Sequence, residues 1–359
     1  MATLSLCMIV KNEEDVLARC LESARAAADE IIIVDTGSSD QTRRIARQFT
    51  EKVYDFEWID DFAAARNFSF SKATMDYCLW LDADDILRAE DCRALCALKK
   101  TLPPETDLVM MRYHTAFDAA GNPTFSYYRE RLIRRDAGFL WEGAVHEAIV
   151  PAGNILYSEI AVTHRKLHPA DPDRNLRIYE KELRAGRALS PRDQFYYARE
   201  LFYHARYREA ESCLVKLLEN GAGWIENLLE ACRLLADCRD RLGDRSGALR
   251  ALLQSLMFCA PRAEICCDLG ARFFEENDYE TAAFWYETAL SRPREDRSGG
   301  FILPDCYGYI PALQLCLCRY YQGRLEEAAR WNERAGEYKP ESAAVAQNRQ
   351  FFQSRLEAK

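Results

Sequence analysis

The sequence predicts an α/β unit followed by an all-α unit, and three observations carry that expectation. Short, nearly unbroken apolar runs (Leu4 to Val10, Ile31 to Val34, Leu79 to Leu81) end in polar or acidic turns and alternate with helix-periodic stretches. That is how a buried parallel sheet with crossover helices reads. Strand-like runs stop after His168-Pro169, and the chain beyond carries tyrosine, alanine and leucine at helical spacing. In this second part four segments, Tyr207 to Ala210, Arg245 to Ala248, Tyr279 to Ala282 and Leu325 to Ala328, each place an alanine just inside a helix start. Their intervals lie near the roughly 34 residues of a helix-turn-helix repeat. Pro261, Pro293 and Pro340 end three of these segments, and Ser291 to Pro304, with Gly299-Gly300, reads as a loop inserted before the last. The expected domains are residues 1–168, a helical linker over 169–192, and a repeat domain over 193–359.

Taken in order, Leu4 to Val10 reads as a fully buried strand, and Lys11-Asn12-Glu13-Glu14 as the approach to a helix whose first turn suits Glu13, Glu14 and Asp15. Val16, Leu17, Cys20, Leu21 and Ala24 repeat at helical spacing before the next strand, Ile31 to Val34. Asp35 to Asp40 closes that strand at Gly37, with Ser39 or Asp40 placed to cap the helix of Ile45 and Ala46. A third strand fits Val53 to Phe56, and a helix from Asp60 to about Ala73 carries Arg66 and Asn67. Repeated βα units require right-handed crossovers, so the strands are expected parallel in one sheet, with ligands at their carboxyl ends. The strand Leu79 to Leu81 delivers Asp82, Ala83, Asp84 and Asp85 to such an end. Two aspartates flanking one small residue can converge on a hard divalent cation that also holds a diphosphate. The competing reading makes Asp82 to Asp85 helix-capping carboxylates before Ile86 and Leu87. Val109 to Thr115 and Tyr127 to Ile133 read as strands around a turn at 118–123, and Trp141 to Glu147 and Ile160 to His164 complete the first half.

Composition sets the outer limits. With 359 residues and 48% hydrophobic content the chain can bury a sizeable core. A net charge of -9 disfavours nucleic acid as an obligatory partner, leaving the basic run Arg129 to Arg135 as a local phosphate contact. The 14 cysteines are scattered through apolar stretches without pairs spaced for zinc, which suits buried thiols in a reducing cytoplasm. No signal-peptide pattern opens the chain and no apolar run nears the roughly 20 residues of a membrane helix, so a cytoplasmic protein without a membrane span is expected.

Four motifs in order, Met8-Ile9-Val10-Lys11-Asn12-Glu13, Val34-Asp35-Thr36-Gly37-Ser38-Ser39-Asp40, Arg66-Asn67 and Leu81-Asp82-Ala83-Asp84-Asp85, resemble the family 2 glycosyltransferases of A-type fold. The resemblance covers residues 1–168 and implies a Rossmann-like nucleotide-diphospho-sugar transferase domain. The second half resembles tetratricopeptide (TPR) repeats, a combination similar to the peptide S-glycosyltransferases of glycosylated bacteriocins.

The resemblance implies a metal-dependent inverting transferase that uses a UDP-sugar and Mn²⁺ or Mg²⁺, with a peptide, protein or glycan acceptor held partly by the repeats. Asp35 should accept from the imide nitrogen of uracil, and Ile9, Lys11, Asn12, Glu13, Gly37 and Ser38 should line the nucleoside pocket. Arg66 should approach the diphosphate or ribose, and Asp82 and Ala83 the ribose or metal. Asp84 is expected as direct metal ligand, joined by Asp82 and by His164, or alternatively His168. Imidazole beside carboxylate suits Mn²⁺ better than Mg²⁺. Glu147 is expected as general base, with Glu142 and His146 as rivals. On a strand His146 and Glu147 would face opposite sides, so only one could face the sugar. The competing functions are a non-catalytic TPR scaffold beside a degenerate transferase fold, and a nucleotidyltransferase using the same metal site. Repeats also serve as generic interaction modules, which leaves homodimerisation open.

Overall fold

The computed structural model describes residues 1–118, 121–167 and 171–357. The chain divides into two compact units, Met1–Leu189 and Ser190–Lys359.

In the first unit, β1 (Leu4–Val10), α1 (Leu17–Ala24), β2 (Glu30–Asp35), α2 (Thr42–Ala46), β3 (Val53–Asp55), α3 (Phe62–Ser71) and β4 (Tyr77–Trp80) follow one another as alternating strands and helices. β1 pairs in parallel with β2 and with β4, and β2 with β3, so Val10, Asp35 and Trp80 arrive at the same edge of the sheet. Leu4, Leu6, Met8, Ile32, Ile33, Val34 and Leu79 are fully buried because helices cover both faces of these strands. Asp61 caps α3, its side chain accepting from the Ala64 N–H at 2.9 Å.

Beyond β4 the sheet departs from the all-parallel expectation. The chain continues through β5 (Asp85–Leu87), α4 (Ala89–Thr101), β6 (Leu108–Phe117), β7 (Pro123–Arg134), the short hairpin of β8 (Trp141–Glu142) with β9 (Ala148–Ile149), β10 (Ile155–His164) and α5 (Arg174–Arg184). The sheet order is β3-β2-β1-β4-β7-β6-β10-β5, with β7 antiparallel to both β4 and β6, and β5 antiparallel to β10. A hairpin connection between β6 and β7 forces one of them to run against β4, so the sheet is mixed. Residues 143–147, expected within a strand, form an irregular loop instead. His146 there adopts a left-handed backbone (φ 53°), so strand alternation does not decide how His146 and Glu147 face. β5 is the other departure: Asp85 to Leu87 joins the sheet as a strand and does not open a helix.

The second unit is a series of helix pairs: α6 (Pro191–Tyr203) with α7 (Tyr207–Asn220), α8 (Ile225–Arg241) with α9 (Arg245–Gln254), α10 (Ala263–Glu275) with α11 (Tyr279–Leu290), and α12 (Tyr309–Tyr321) with α13 (Leu325–Tyr338), followed by α14 (Ala343–Glu357). The four repeat alanines, Ala210, Ala248, Ala282 and Ala328, are completely buried near the starts of the second helices. Asp244 and Asp278 cap two of those helices by accepting from the Gly247 and Thr281 N–H groups. Close approach within a pair is visible at Gly270 of α10, where a Cβ would come within 2.8 Å of the Tyr286 ring of α11. The inserted segment between α11 and α12 is irregular up to a 3₁₀ turn at Pro304–Tyr307. Among the described residues no helix is long and apolar enough to cross a membrane. All 14 cysteines are free thiols, most of them buried.

Candidate functional site

The loops after β1 and β2 are built as one unit. Asn12 adopts a left-handed backbone (φ 56°), which asparagine tolerates better than most residues. Its N–H donates to Ser38 Oγ at 2.9 Å, and its Oδ1 accepts from the Ser39 N–H at 2.8 Å. The Glu13 N–H donates to Thr42 Oγ1 at 2.7 Å. Asn12, Glu13 and Ser38 therefore hold the two strand-end loops together, while Lys11 is exposed and Ile9 half-buried.

Asp35 ends β2 with 1% exposure. Its Oδ1 accepts from the Gly37 and Ser38 N–H groups at 3.0 and 2.9 Å and from Arg43 Nε at 3.1 Å. Gly37 reaches this turn with φ 101°, a conformation that favours glycine. Burial opposes ionisation of Asp35, but the hydrogen bonds from Ser38 and Gly37 and the charge of Arg43 hold its pKa below the usual carboxylate value. Its Oδ2 is buried, and among the described residues nothing donates to it. Arg43, which the motifs do not single out, also pairs with Asp55.

The carboxylates after β4 separate into two groups. Asp82 Oδ1 accepts from Arg66 Nη2 at 2.7 Å, and Arg66 Nε donates to Glu147 at 2.5 Å. The Arg66 guanidinium lies 4.7 Å from the Trp80 ring centroid and 4.9 Å from that of Trp141. Burial between two indoles disfavours its charge, but Asp82 and Glu147 outweigh this and keep it firmly protonated. Asn67, next in sequence, clamps the Trp141 backbone in both directions, donating to its carbonyl at 3.0 Å and accepting from its N–H at 2.9 Å. The pair Arg66-Asn67 thus fixes the segment that carries Glu142, His146 and Glu147. Glu142 is exposed, whereas the Glu147 side chain is 11% exposed and engaged by Arg66.

The second group is Asp84, Asp85 and His164, whose ligand atoms all lie within 4.8 Å of one another. His164 Nδ1 is 3.4 Å from Asp84 Oδ1 and 3.3 Å from Asp85 Oδ1. The antiparallel register of β5 on β10 sets His164 directly opposite Asp85. Hydrogen bonding to Asp84 and Asp85 pushes the His164 pKa up to about 10, so a cation taken here competes with a proton. Asp82, expected among the metal ligands, is turned away because buried Arg66 requires an anion, and Asp85 takes its place in the cluster. Ala83 is buried in the core beneath the turn. His168 lies outside the described residues.

Asp85 is itself fully buried and anchored. It accepts from the Tyr113 hydroxyl at 2.9 Å, from the Asp82 N–H at 3.1 Å and from Arg131 Nη1 at 3.2 Å. Arg131 has no exposure, also donates to the Trp80 carbonyl at 3.0 Å, and stacks 3.7 Å from the Trp80 and 4.4 Å from the Tyr113 ring centroids. Tyr113 Oη also lies 3.0 Å from His164 Nδ1. The accessible groups of this candidate metal cluster are therefore Asp84 and His164, with Asp85, Tyr113 and Arg131 packed behind them. Tyr113 and Arg131 escaped the sequence reading, and Asp85 was read only as part of the acidic turn; an arginine followed by Leu132-Ile133 inside a central strand was the signal.

Comparison with known proteins places this geometry. Residues 5–150 match the family model for glycosyl transferase family 2. A TPR repeat-containing protein of Synechococcus elongatus is 38% identical over 151 residues, 42% of this chain and 36% of that protein. The SPbeta prophage-derived glycosyltransferase SunS of Bacillus subtilis is 26% identical over 233 residues, 61% of this chain and 54% of that protein. The lipopolysaccharide core biosynthesis glycosyltransferase LpsC of Rhizobium meliloti is 29% identical over 162 residues, 42% of this chain and 58% of that protein. The chain spans less than two thirds of the length of each of these relatives. With the mixed sheet, the strand-end loops and the acidic turn after β4 in one unit, residues 5–150 form a glycosyl transferase family 2 domain, joined to a domain of helical repeats.

Proposed function

We propose that the protein is a metal-dependent inverting glycosyltransferase that moves a sugar from a UDP-sugar to a peptide, protein or glycan acceptor. The observation that carries the donor reading is Asp35: one buried carboxylate oxygen is saturated and the other lacks a donor. A uracil imide N–H supplies such a donor, and an unsatisfied buried acceptor costs about 1–3 kcal/mol until it is met. The chemistry of the second cluster fits a divalent cation, since one imidazole and accessible carboxylate oxygen suit Mn²⁺ or Mg²⁺, with Mn²⁺ favoured by the nitrogen ligand. Asp84 and His164 would hold the ion. When bound, it would neutralise charge on the departing nucleoside diphosphate.

The remaining roles fall to the chain itself. In an inverting transfer the acceptor nucleophile bonds to the anomeric carbon as the bond to the diphosphate oxygen breaks, and a base removes the nucleophile's proton. Glu147 was the first expectation for that base, but its carboxylate is turned to the buried Arg66 guanidinium, which occupies it as an ion-pair partner. We assign Glu147 and Asp82 to holding Arg66 at the site wall, which leaves exposed Glu142 and His146 as the candidates for the proton. The decisive experiment is calorimetric titration with UDP, with and without Mn²⁺. Metal should tighten binding in the wild type, and Asp84→Ala should remove at least about tenfold of that gain. Equal UDP affinity with and without metal in the wild type would overturn the metal-dependent reading.

A further inference from the structure

The inserted segment between α11 and α12 folds back onto the first helices of three preceding pairs within the repeat unit. Phe301 lies against Arg199 of α6, with the guanidinium 5.3 Å from its ring centroid. Gly299 passes Trp224 at the start of α8, where a Cβ would come within 3.2 Å of the indole. Gly300 is buried against Glu226 of α8, and any Cβ there would collide with that carboxylate and approach Arg262 Nη1 at 3.0 Å. The Leu303 N–H donates to Glu264 of α10 at 2.8 Å, and the Tyr307 hydroxyl donates to the other oxygen of the same carboxylate at 2.9 Å. Glu226 and Arg262 pair with each other beneath the segment. Glu226 and Glu264 are thus charged groups with 3% and 2% exposure on a helix face whose cover is a loop.

We infer that this face is a polypeptide-binding surface and that Gly299 to Leu303 occupies it as an internal ligand. Stacked repeats present extended surfaces on which repeat proteins seat long ligands, and the segment here lies across three successive first helices. The site as built selects a segment of stated chemistry: a glycine pair with no side chain, to pass between the indole and the Glu226–Arg262 pair, then an aromatic residue for Arg199, then a backbone N–H for Glu264. A competing polypeptide must present the same features and displace the strap. An internal ligand on a short tether acts at an effective concentration of the order of millimolar, so micromolar partners meet a closed surface until the strap leaves. The inference stands on the repeat unit alone, and failure of the donor reading would leave it intact.

Gly300→Ala tests it in the full-length chain. No left-handed backbone is required at Gly300, so the added methyl group acts through its collision with Glu226. Hydrogen exchange in the variant should accelerate at Gly300 to Leu303, with the amides of α8 and α10 unchanged. The probe is a fluorescein-labelled peptide of residues Glu295 to Leu303 in the native sequence. It should bind the variant at least about tenfold more tightly than the wild type, because the face is vacated in one and filled in the other. The same peptide carrying Gly300→Ala should bind neither. Equal affinity for both proteins, no binding to the variant, or exchange that spreads through α8 and α10 would each overturn the inference. Phe301→Ala, which removes the Arg199 contact, provides the same readouts if Gly300→Ala fails to fold.

Discussion

The two units bury charge in opposite ways. In the first, Asp35, Arg66, Asp85 and Arg131 lie around the carboxyl ends of β2 and β4, and each meets several partners at once. In the second, arginine–carboxylate contacts recur along the repeat helices and tie one helix to another: Arg239 with Glu211, Arg233 with Asp268, Arg272 with Asp240 and Arg319 with Glu287, with Arg233 and Arg319 each also reaching a second carboxylate, Glu230 and Glu327. Charges gathered at one place create a field for a ligand, and removing one disturbs all the others. Charges distributed along the helix contacts tie the repeats together, and removing one disturbs only its immediate neighbours. The comparison makes a ranking that can be tested.

Its largest expected effect is at Arg131. Arg131→Met leaves Asp85 buried without its cation, which costs about 3–5 kcal/mol of stability. Urea denaturation of the variant should show that loss, and the companion change Asp85→Leu should recover much of it, because the two sites share one interaction. A loss below about 1 kcal/mol would show that the first unit does not depend on its buried charge.

A second test separates a structural carboxylate of the first unit from the site. Glu30, on β2, accepts from Ser5, Lys52 and Thr74. Burial raises its pKa, but these hydrogen bonds, led by Lys52, bring it down to about 2 from 4.5. A depressed folded-state value means that the stabilisation is complete above pH 4.5 and is lost as pH falls towards about 2. At about 1.4 kcal/mol per pH unit between the two values, the full amount is about 3 kcal/mol. Denaturation midpoints measured from pH 5 to pH 2 should fall less steeply in Glu30→Gln than in the wild type.

Next in size is Asp35→Ala, expected to weaken uridine nucleotide binding by about 1–3 kcal/mol and to reduce the preference for uracil over cytosine. Competition between UDP and CDP measures it. An unchanged preference would leave Asp35 as a turn-forming residue held by Gly37 and Ser38.

The same contrast explains what could be read from the sequence. The repeat helices were legible because Ala210, Ala248, Ala282 and Ala328 must be small where helices pack closely, and that requirement recurs along the chain. The strands β1, β2 and β4 were legible because both faces are covered, so their residues are apolar without interruption. Asp35 and Asp84 were singled out by motif order, and His164 by its place after the apolar strand Ile160 to Val162 together with the family resemblance. Asp85 was misread, since three residues between an acidic turn and a helix carry too little pattern to announce a strand such as β5. Arg131 was hidden because the run from Arg129 to Arg135 reads as a local phosphate contact, whereas strand pairing takes this one arginine into the core. Residues 141–147 are held by α3, which is distant in sequence: Asn67 clamps Trp141, the Phe62 N–H donates to the Ala144 carbonyl at 2.9 Å and Arg66 engages Glu147, so local propensity could not supply the loop.

The smallest expected effect tests the second half of the comparison. Arg272 of α10 and Asp240 of α8 form a two-pronged pair, with Nη1 to Oδ1 at 2.8 Å and Nη2 to Oδ2 at 2.7 Å. The Asp240 side chain is 37% exposed, so solvent screens the attraction and the loss in Asp240→Asn should be only about 0.2–1 kcal/mol. Exposure also makes that loss salt-dependent, because the Debye length shrinks from about 10 Å at 0.1 M to about 3 Å at 1 M. The destabilisation by Asp240→Asn should therefore fade in 1 M salt, while that by Arg131→Met, at a pair with no exposure, should persist. UDP affinity should be unchanged in Asp240→Asn and reduced in Arg131→Met. If the repeat-unit change altered nucleotide binding as strongly as the strand-end change, the charges of the two units would not be independent, and the contrast between gathered and distributed charge would fail.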